Sequence, residues 1–323
     1  MAKAVRFHKQ GGPEVMQYDD VQVGDPGPGQ ARIRHTAIGV NFVDTYQRSG
    51  LYPMQLPQVA GNEGAGVVDA VGAGVTEVKA GDHVTYTGLP GSYCETRLVP
   101  ADRVVKLPQG ISDEQAASML LKGLTVHYLI FSTFKVNKGD AVLWHAAAGG
   151  VGLIACQWLK ALGVTTIATA GSDEKTALAK AHGAEHVINY SKEDWVKRVK
   201  DITGGKGVPV VYDGVGKATW DGSLDCLRPR GLMVTFGNAS GAVPPVNLGI
   251  LSTKGSLFVT RPTLATHIAS RADLVERSNA LFDIVKSGKV KIETTKKYKL
   301  ADAAQAHRDL EGRKTTGSVV LIP

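Results

Sequence analysis

Asp140-Ala141-Val142-Leu143-Trp144-His145-Ala146-Ala147-Ala148-Gly149-Gly150-Val151-Gly152, running on into Leu153-Ile154-Ala155-Cys156-Gln157-Trp158-Leu159-Lys160, decides the fold. A short apolar run reads as a buried strand, small residues make a tight turn, and apolar positions then recur at helical spacing. Strand, turn and helix open a dinucleotide-binding unit. The turn is A-x-G-G-V-G, so Ala147 stands where the usual motif has its first glycine. Gly149 lets backbone approach a pyrophosphate, Gly152 lets helix and strand pack closely, and the helix N-terminus offers its unpaired N–H groups to phosphate. His145 falls on the buried strand, and neither it nor His127 is taken as a catalytic acid.

Downstream, strand and helix patterns alternate. Thr165 to Ala170 is a strand ending in Gly171-Ser172-Asp173-Glu174-Lys175. A site for NADH wants an acid about 20 residues beyond the glycine motif, on the ribose 2′-hydroxyl. Ala170 and Gly171 stand there instead, with Ser172 and Lys175 placed to hold a 2′-phosphate, so NADPH is the expected cofactor. Asp173 is assigned to the first turn of the next helix, where a negative charge is favourable. Strands follow at Gly183–Tyr190, Val208–Tyr212, Leu232–Asn238 and Gly255–Thr260, with a helix through Leu224–Leu227 closed by Pro229 and Gly231. This rhythm predicts a doubly wound parallel sheet. Asp213, Gly214, Phe236, Gly237 and Asn238 lie at strand ends, where a dinucleotide is bordered.

Upstream, residues 1 to 124 are dense in valine, glycine and proline, and read as a β-barrel-like domain of many short strands. Asn41, Asp44, Tyr46 and Tyr52 concentrate in Gly39–Pro53. That segment is either the polar entrance to an acceptor site or an N-capped surface helix. A helix from Asp113 is expected to be interrupted at Gly123, with a second helix from Thr125 to Phe134. After residue 265, two helices (Asp273–Gly288 and Ala301–Leu310) and a terminal strand are read as rejoining the first domain.

The 323 residues, 43% hydrophobic, allow two domains. The net charge of +7 is dispersed, with no arginine-rich tract or zinc finger, so it reads mainly as solvated surface. Cys94, Cys156 and Cys226 are isolated, which argues against a disulfide framework and for a reducing, cytoplasmic setting. No apolar run approaches membrane-spanning length, and no membrane partner is expected.

Taken together the chain resembles the zinc-independent NADPH:quinone oxidoreductases (zeta-crystallin-like) of the medium-chain dehydrogenase/reductase superfamily. The resemblance is carried by Gly12-Pro13-Glu14-Val15, Asn41-Phe42-Val43-Asp44, Gly61-Asn62-Glu63-Gly64-Ala65-Gly66, the A-x-G-G-V-G turn, Ile188-Asn189-Tyr190, Phe236-Gly237-Asn238, Thr260-Arg261-Pro262 and Gly317-Ser318-Val319-Val320-Leu321. It implies an α/β protein in which a GroES-like β-barrel catalytic domain (1–124, completed by 266–323) is joined to a Rossmann domain (125–265), with NADPH in the cleft. Asn41, Tyr46, Thr125, Ala148, Gly149, Gly150, Val151, Gly171, Ser172, Lys175, Tyr190, Asp213, Phe236, Asn238, Phe258 and Arg313 form the implied cofactor set. Tyr52, Tyr46, Asn41, Asp44 and Arg261 form the implied catalytic set near the quinone. The implied reaction is reduction of quinones by hydride or single-electron transfer. The alternatives are reduction of the C=C bond of 2-alkenals or enones, and a cofactor-regulated RNA-binding protein. A homodimer through the edge strand near Ser256–Thr260 is implied as well. The zinc-using relatives carry a cysteine near position 41, a histidine before the glutamate of G-H-E, and a later cysteine. Asn41, Asn62 and the cysteine-free Ala116–Leu121 stand there instead, so no metal is expected.

Overall fold

The computed structural model describes residues 1–323 and divides into two compact units. The first comprises Met1–Leu124, Ile268–Lys286 and Ile292–Pro323, and the second Thr125–His267 with Ser287–Lys291.

In the first unit, β1 (Ala2–Phe7) and β2 (Met16–Val21) pair antiparallel and lead to β3 (Gln30–Val40). Helix α1 (Phe42–Ser49) and the short β4 (Gln58–Val59) precede β5 (Glu63–Val71), β6 (His83–Thr87), β7 (Thr96–Pro100) and β8 (Val105–Lys106). β3 is the centre of the larger sheet, pairing antiparallel with both β5 and β7. Its inward residues Ala31 and Ile33 pack with Val68, Val84, Tyr86 and Val99. Helix α2 (Asp113–Tyr128) runs uninterrupted through Gly123. The expected break is absent because that glycine answers a packing demand: a Cβ there would stand 2.4 Å from Leu281. A single π-turn, Leu129–Thr133, follows in place of a second helix.

The second unit is a six-stranded parallel sheet. β9 (Ala141–Trp144), α3 (Gly150–Ala161), β10 (Thr165–Ala170), α4 (Asp173–Ala181), β11 (His186–Asn189), α5 (Trp195–Ile202) and β12 (Val208–Asp213) alternate strictly. Helix α6 (Trp220–Asp225), β13 (Leu227–Thr235), α7 (Gly249–Thr253), β14 (Phe258–Thr260) and α8 (Leu264–His267) complete it. The order β11-β10-β9-β12-β13-β14 reverses direction between β9 and β12. Ligands of open α/β sheets bind outside the strand carboxyl ends at such a point. Leu143, Ile167, Ile188, Val211 and Met233 fill one face of the sheet. Leu227 is not the end of a helix, as its sequence context implies, but the start of β13. Pro229 and Gly231 are accommodated because residues 228–230 loop out exposed: Leu227 pairs with Val208, and pairing resumes at Leu232 with Val210.

The return segment supplies α9 (Arg271–Lys286), β15 (Thr294–Lys299), α10 (Ala303–Glu311) and β16 (Ser318–Ile322). β16 pairs antiparallel with β3, and Val319 and Leu321 enter the core around Phe7 and Ile38. No helix is long and apolar enough to cross a membrane.

Candidate active site: a dinucleotide turn and an acceptor helix

The turn after β9 is built as its composition requires. Ala146 takes a left-handed φ of 54° directly after the strand, and Gly149 becomes the N-cap of α3. A Cβ on Gly152 would lie 2.5 Å from the Cα and O of Ala147, so only glycine lets the helix close down on the turn. Ala147 and Ala148 are buried, which leaves the backbone from Gly149 through Val151 as the first turn of α3. The Gly149 N–H is taken by Ala146 O at 3.1 Å, and a dinucleotide pyrophosphate fits the N–H groups of Gly150 and Val151 at the helix N-terminus.

At the end of β10, Ser172 caps α4 and its Oγ accepts the Lys175 N–H at 3.3 Å. Tyr190 is 41% exposed, and its hydroxyl sits so close to Gly171 that a Cβ on the glycine would approach it to 2.5 Å. Asp173 stands in the first helical turn, as its sequence position implies. Its carboxylate accepts from Asn189 Nδ2 at 2.7 Å and pairs with Lys192, which hold it below the usual carboxylate range. Ser172, Lys175 and Tyr190 thus gather around a backbone with no side chain at 171, the composition that suits a 2′-phosphate.

Beneath the turn lies a buried polar chain that motif reading missed. Ser223 donates to Asp213 Oδ2 at 3.0 Å, so its oxygen must accept from His145 Nε2, also at 3.0 Å. The imidazole Nδ1 then accepts from Thr169 Oγ1 at 2.8 Å. Burial holds His145 neutral, below its ordinary value. Asp213 takes further bonds from the N–H groups of Val215 and Gly216 and from Thr219 Oγ1. Its carboxylate is therefore wholly engaged within the fold. The signal was available as a histidine, a threonine and an aspartate at three strand ends, but Ser223 lies on a helix with no motif.

The Gly39–Pro53 segment is the N-capped helix α1. Asn41 and Asp44 form a capping box: the Asn41 N–H donates to Asp44 Oδ2 at 2.8 Å, and the Asn41 side chain accepts the Asp44 N–H. Helical spacing stacks Phe42 and Tyr46 at 6.1 Å, and the chain folds back so that the Tyr46 and Tyr52 rings meet edge-on at 5.3 Å. Of the two readings of this segment, the N-capped helix is the one the fold shows.

Asp44 also accepts from Asn62 Nδ2 at 2.7 Å and Tyr93 Oη at 2.9 Å. Burial nevertheless pushes its pKa up to about 6 against those bonds. Arg48 donates to His307 Nδ1 at 3.0 Å, so the neutral imidazole gives its Nε2–H to Tyr93 Oη at 3.1 Å. Burial, then the Arg48 charge, hold His307 down to about 3. Glu63 joins this region through Asn41, Leu121 and Lys122.

Of the other predicted residues, Phe236 stays with the strand end of Asp213, its N–H donating to Asp213 O at 2.8 Å. Arg261 folds onto the end of β13, reaching Thr235 Oγ1 at 3.0 Å and Gly237 O at 3.2 Å. Phe236 packs over Gly214, Asn238 and Thr125 are buried, and Phe258 is 60% exposed on the edge strand β14. Arg313 is exposed in the turn after α10, with a φ of 57°.

Zinc does not fit the position of Asn41, Asn62 and Glu63. Both amides direct N–H groups at carboxylates, where a metal would need lone pairs, and no three His, Cys, Asp or Glu residues are grouped to hold an ion.

The fold and these sites define an NADPH-type medium-chain dehydrogenase/reductase lacking the zinc donor set. Residues 27–109 match the alcohol dehydrogenase GroES-like domain family, and residues 150–276 the zinc-binding dehydrogenase family. The chain is 54% identical to a quinone oxidoreductase of Pseudomonas aeruginosa, over the whole of both chains. It is 47% identical to a 2-haloacrylate reductase of Burkholderia sp., covering 100% of this chain and 99% of that one. The crystal structure of Escherichia coli quinone oxidoreductase complexed with NADPH superposes with a TM-score of 0.98 at 53% identity, covering all of both chains. The chain belongs to the zinc-independent quinone oxidoreductase family.

Proposed function

We infer that the protein catalyses NADPH-dependent reduction of quinones without a metal ion. The observation that carries this is the junction of an acid-free 2′-phosphate corner (Gly171, Ser172, Lys175) with a chain over half identical to quinone oxidoreductases along its full length. When bound, NADPH supplies the reducing equivalents, and a quinone is electrophilic enough to accept them without a Lewis acid.

The residues' parts follow from their placement. Gly150 and Val151 offer backbone N–H groups to the pyrophosphate, Gly149 lets it approach the backbone, and Ala148 keeps the turn small. Ser172, Lys175 and Tyr190 hold the 2′-phosphate and the adenosine side. Phe236, Asn238, Thr125, Phe258 and Arg313 complete the proposed contacts, with Asp213 contributing through the strand end it shapes. Asn41 and Tyr46 are assigned to the cofactor's reactive end. Tyr52 and Tyr46 present a flat aromatic surface for a planar acceptor and phenols for its oxygens. Arg261 is assigned to the quinone side and Asp44 to holding α1. Positioning, rather than acid–base chemistry, carries the rate on this reading.

Turnover of 1,4-benzoquinone and 1,4-naphthoquinone with NADPH, against 2-alkenals and enones, tests it. Quinone turnover should dominate, and efficient enone turnover with negligible quinone turnover would replace it. The relationship to a 2-haloacrylate reductase makes C=C reduction the second reading. A homodimer through β14 is proposed because Phe258 and Val259 are exposed on an unpaired strand edge. Cytoplasmic residence accords with three separate, buried free thiols. RNA remains a secondary partner, favoured only by the net charge of +7.

A further inference from the structure

The corner assigned to the 2′-phosphate has an acid at its side. Asp173 opens α4 directly after the Ser172 cap, and its side chain is 68% exposed. A carboxylate there suits the helix, whose first turn leaves N–H groups unpaired. It does not suit a phosphate monoester, which carries a charge of roughly −1.5 to −2 at neutral pH.

The loop after β11 answers that conflict. Lys192 pairs with Asp173 Oδ2, and Asn189 Nδ2 donates to Oδ1 at 2.7 Å, so both carboxylate oxygens are engaged. Lys192 first, then Asn189, hold the carboxyl below its usual range. Asn189 is buried, and the Ser191 N–H donates to its Oδ1 at 3.1 Å. An amide has one acceptor end and one donor end, so that bond leaves Nδ2 for Asp173. The same loop is fastened to the end of β10: the Tyr190 N–H donates to Ala170 O at 3.1 Å, and Ser191 Oγ to Gly171 O at 3.0 Å. All these residues belong to one compact unit.

We propose that Asn189 and Lys192 are specificity-determining residues: they tether and neutralise Asp173, so that this acid neither repels a 2′-phosphate nor offers itself to the ribose 2′-hydroxyl of NADH. An exposed pair of this kind adds little to stability. Its effect lies in the field it cancels. Freed, the carboxylate opposes the phosphate and can accept from the hydroxyl, as the acid of an NADH site does. The inference rests on the assignment of Ser172 and Lys175 to the 2′-phosphate.

The test is the ratio of Kd values for NADPH and NADH, read by fluorescence titration in a cycle between Lys192→Met and Asp173→Asn. Lys192→Met should weaken NADPH about fivefold at low salt and NADH hardly at all, with the loss shrinking as salt is raised. The double variant should return to the wild-type ratio. A double variant as poor as Lys192→Met means that the lysine meets the phosphate itself, and overturns the proposal. An unchanged ratio in Lys192→Met overturns it as well. Asn189→Ala should weaken NADPH selectively by about threefold, again cured by Asp173→Asn, because one of two bonds to the acid is lost. Equal losses for both cofactors would show only a support for the loop and overturn the tether. If Asn189→Ala does not fold, the cycle at the exposed Lys192 decides. Lys175→Ala separates the tether from the reading beneath it. If that variant loses NADPH selectively while the Lys192 cycle is flat, the phosphate corner stands and the tether falls; if neither moves the ratio, both fall.

Discussion

The two units contain the same chain of four residues and three hydrogen bonds, built from different materials. In the second unit Thr169 donates to His145, His145 to Ser223, and Ser223 to Asp213. In the first, Arg48 donates to His307, His307 to Tyr93, and Tyr93 to Asp44. Each runs from a donor into Nδ1, out of Nε2–H, through a hydroxyl and onto an aspartate. The first chain starts from a buried cation, and its unit also encloses the Lys122–Glu63 pair. The second starts from a neutral hydroxyl and ends where two backbone N–H groups meet the carboxylate. A neutral chain steadies a backbone turn. A charged one holds side chains at fixed angles, at a higher cost when any member is removed.

That contrast can be broken in four ways. Lys122→Met strands a fully buried carboxylate and should cost about 3–5 kcal/mol in urea denaturation, with Glu63→Gln in the same chain recovering most of it. Acidification should come next. Burial lowers His35 to about 4 and His307 to about 3, and lowers His145. The unfolded chain takes up protons near pH 6.5 that these three refuse when folded, so each removes stability as pH falls. Asp44, raised to about 6, acts oppositely, because its folded form binds a proton that the unfolded form releases. The two protons that His35 and His307 refuse, against the one that Asp44 takes up, leave one, or on the order of 1.4 kcal/mol lost per pH unit between about pH 6 and 5, and His145 adds in the same direction. Denaturation that is flat across this range would show the histidines are not held neutral.

The neutral chain should respond less. His145→Phe should cost about 1–3 kcal/mol, and His145→Gln part of that, since an amide can accept from Thr169 and donate to Ser223. A loss exceeding that of Lys122→Met would invert the comparison. The smallest effect belongs to Lys175→Ala, which should weaken NADPH binding about tenfold and NADH binding hardly at all. Equal losses in a fluorescence titration would remove Lys175 from discrimination.

The fold was legible where local chemistry dictates it. The glycine turn, the acid-free strand end and the six parallel strands all follow from spacing and small residues. Failures came where distant packing overrode local preference. Gly123 reads as a helix break, yet the approach of Leu281 demands it. Pro229 reads as a terminator, yet a looped-out segment carries it into β13. β15 escaped notice because its alternate lysines face outward, with Lys297 paired to Glu114. Of the site, the residues at Asn41–Tyr52 were identified by type, but Lys122, Tyr93 and His307 were not. Their partners lie 59, 49 and 259 residues away, so no local pattern exists to find.

The contact between Tyr190 and Gly171 has a consequence for the choice of cofactor. An acid at position 171 would invite the ribose hydroxyl of NADH, but a first side-chain carbon there meets the tyrosine hydroxyl at 2.5 Å. An acid at position 171 therefore comes with a rearrangement of Tyr190, by a smaller residue or by a turn of its exposed ring. The corner at the end of β10 is thus shaped by two positions rather than one.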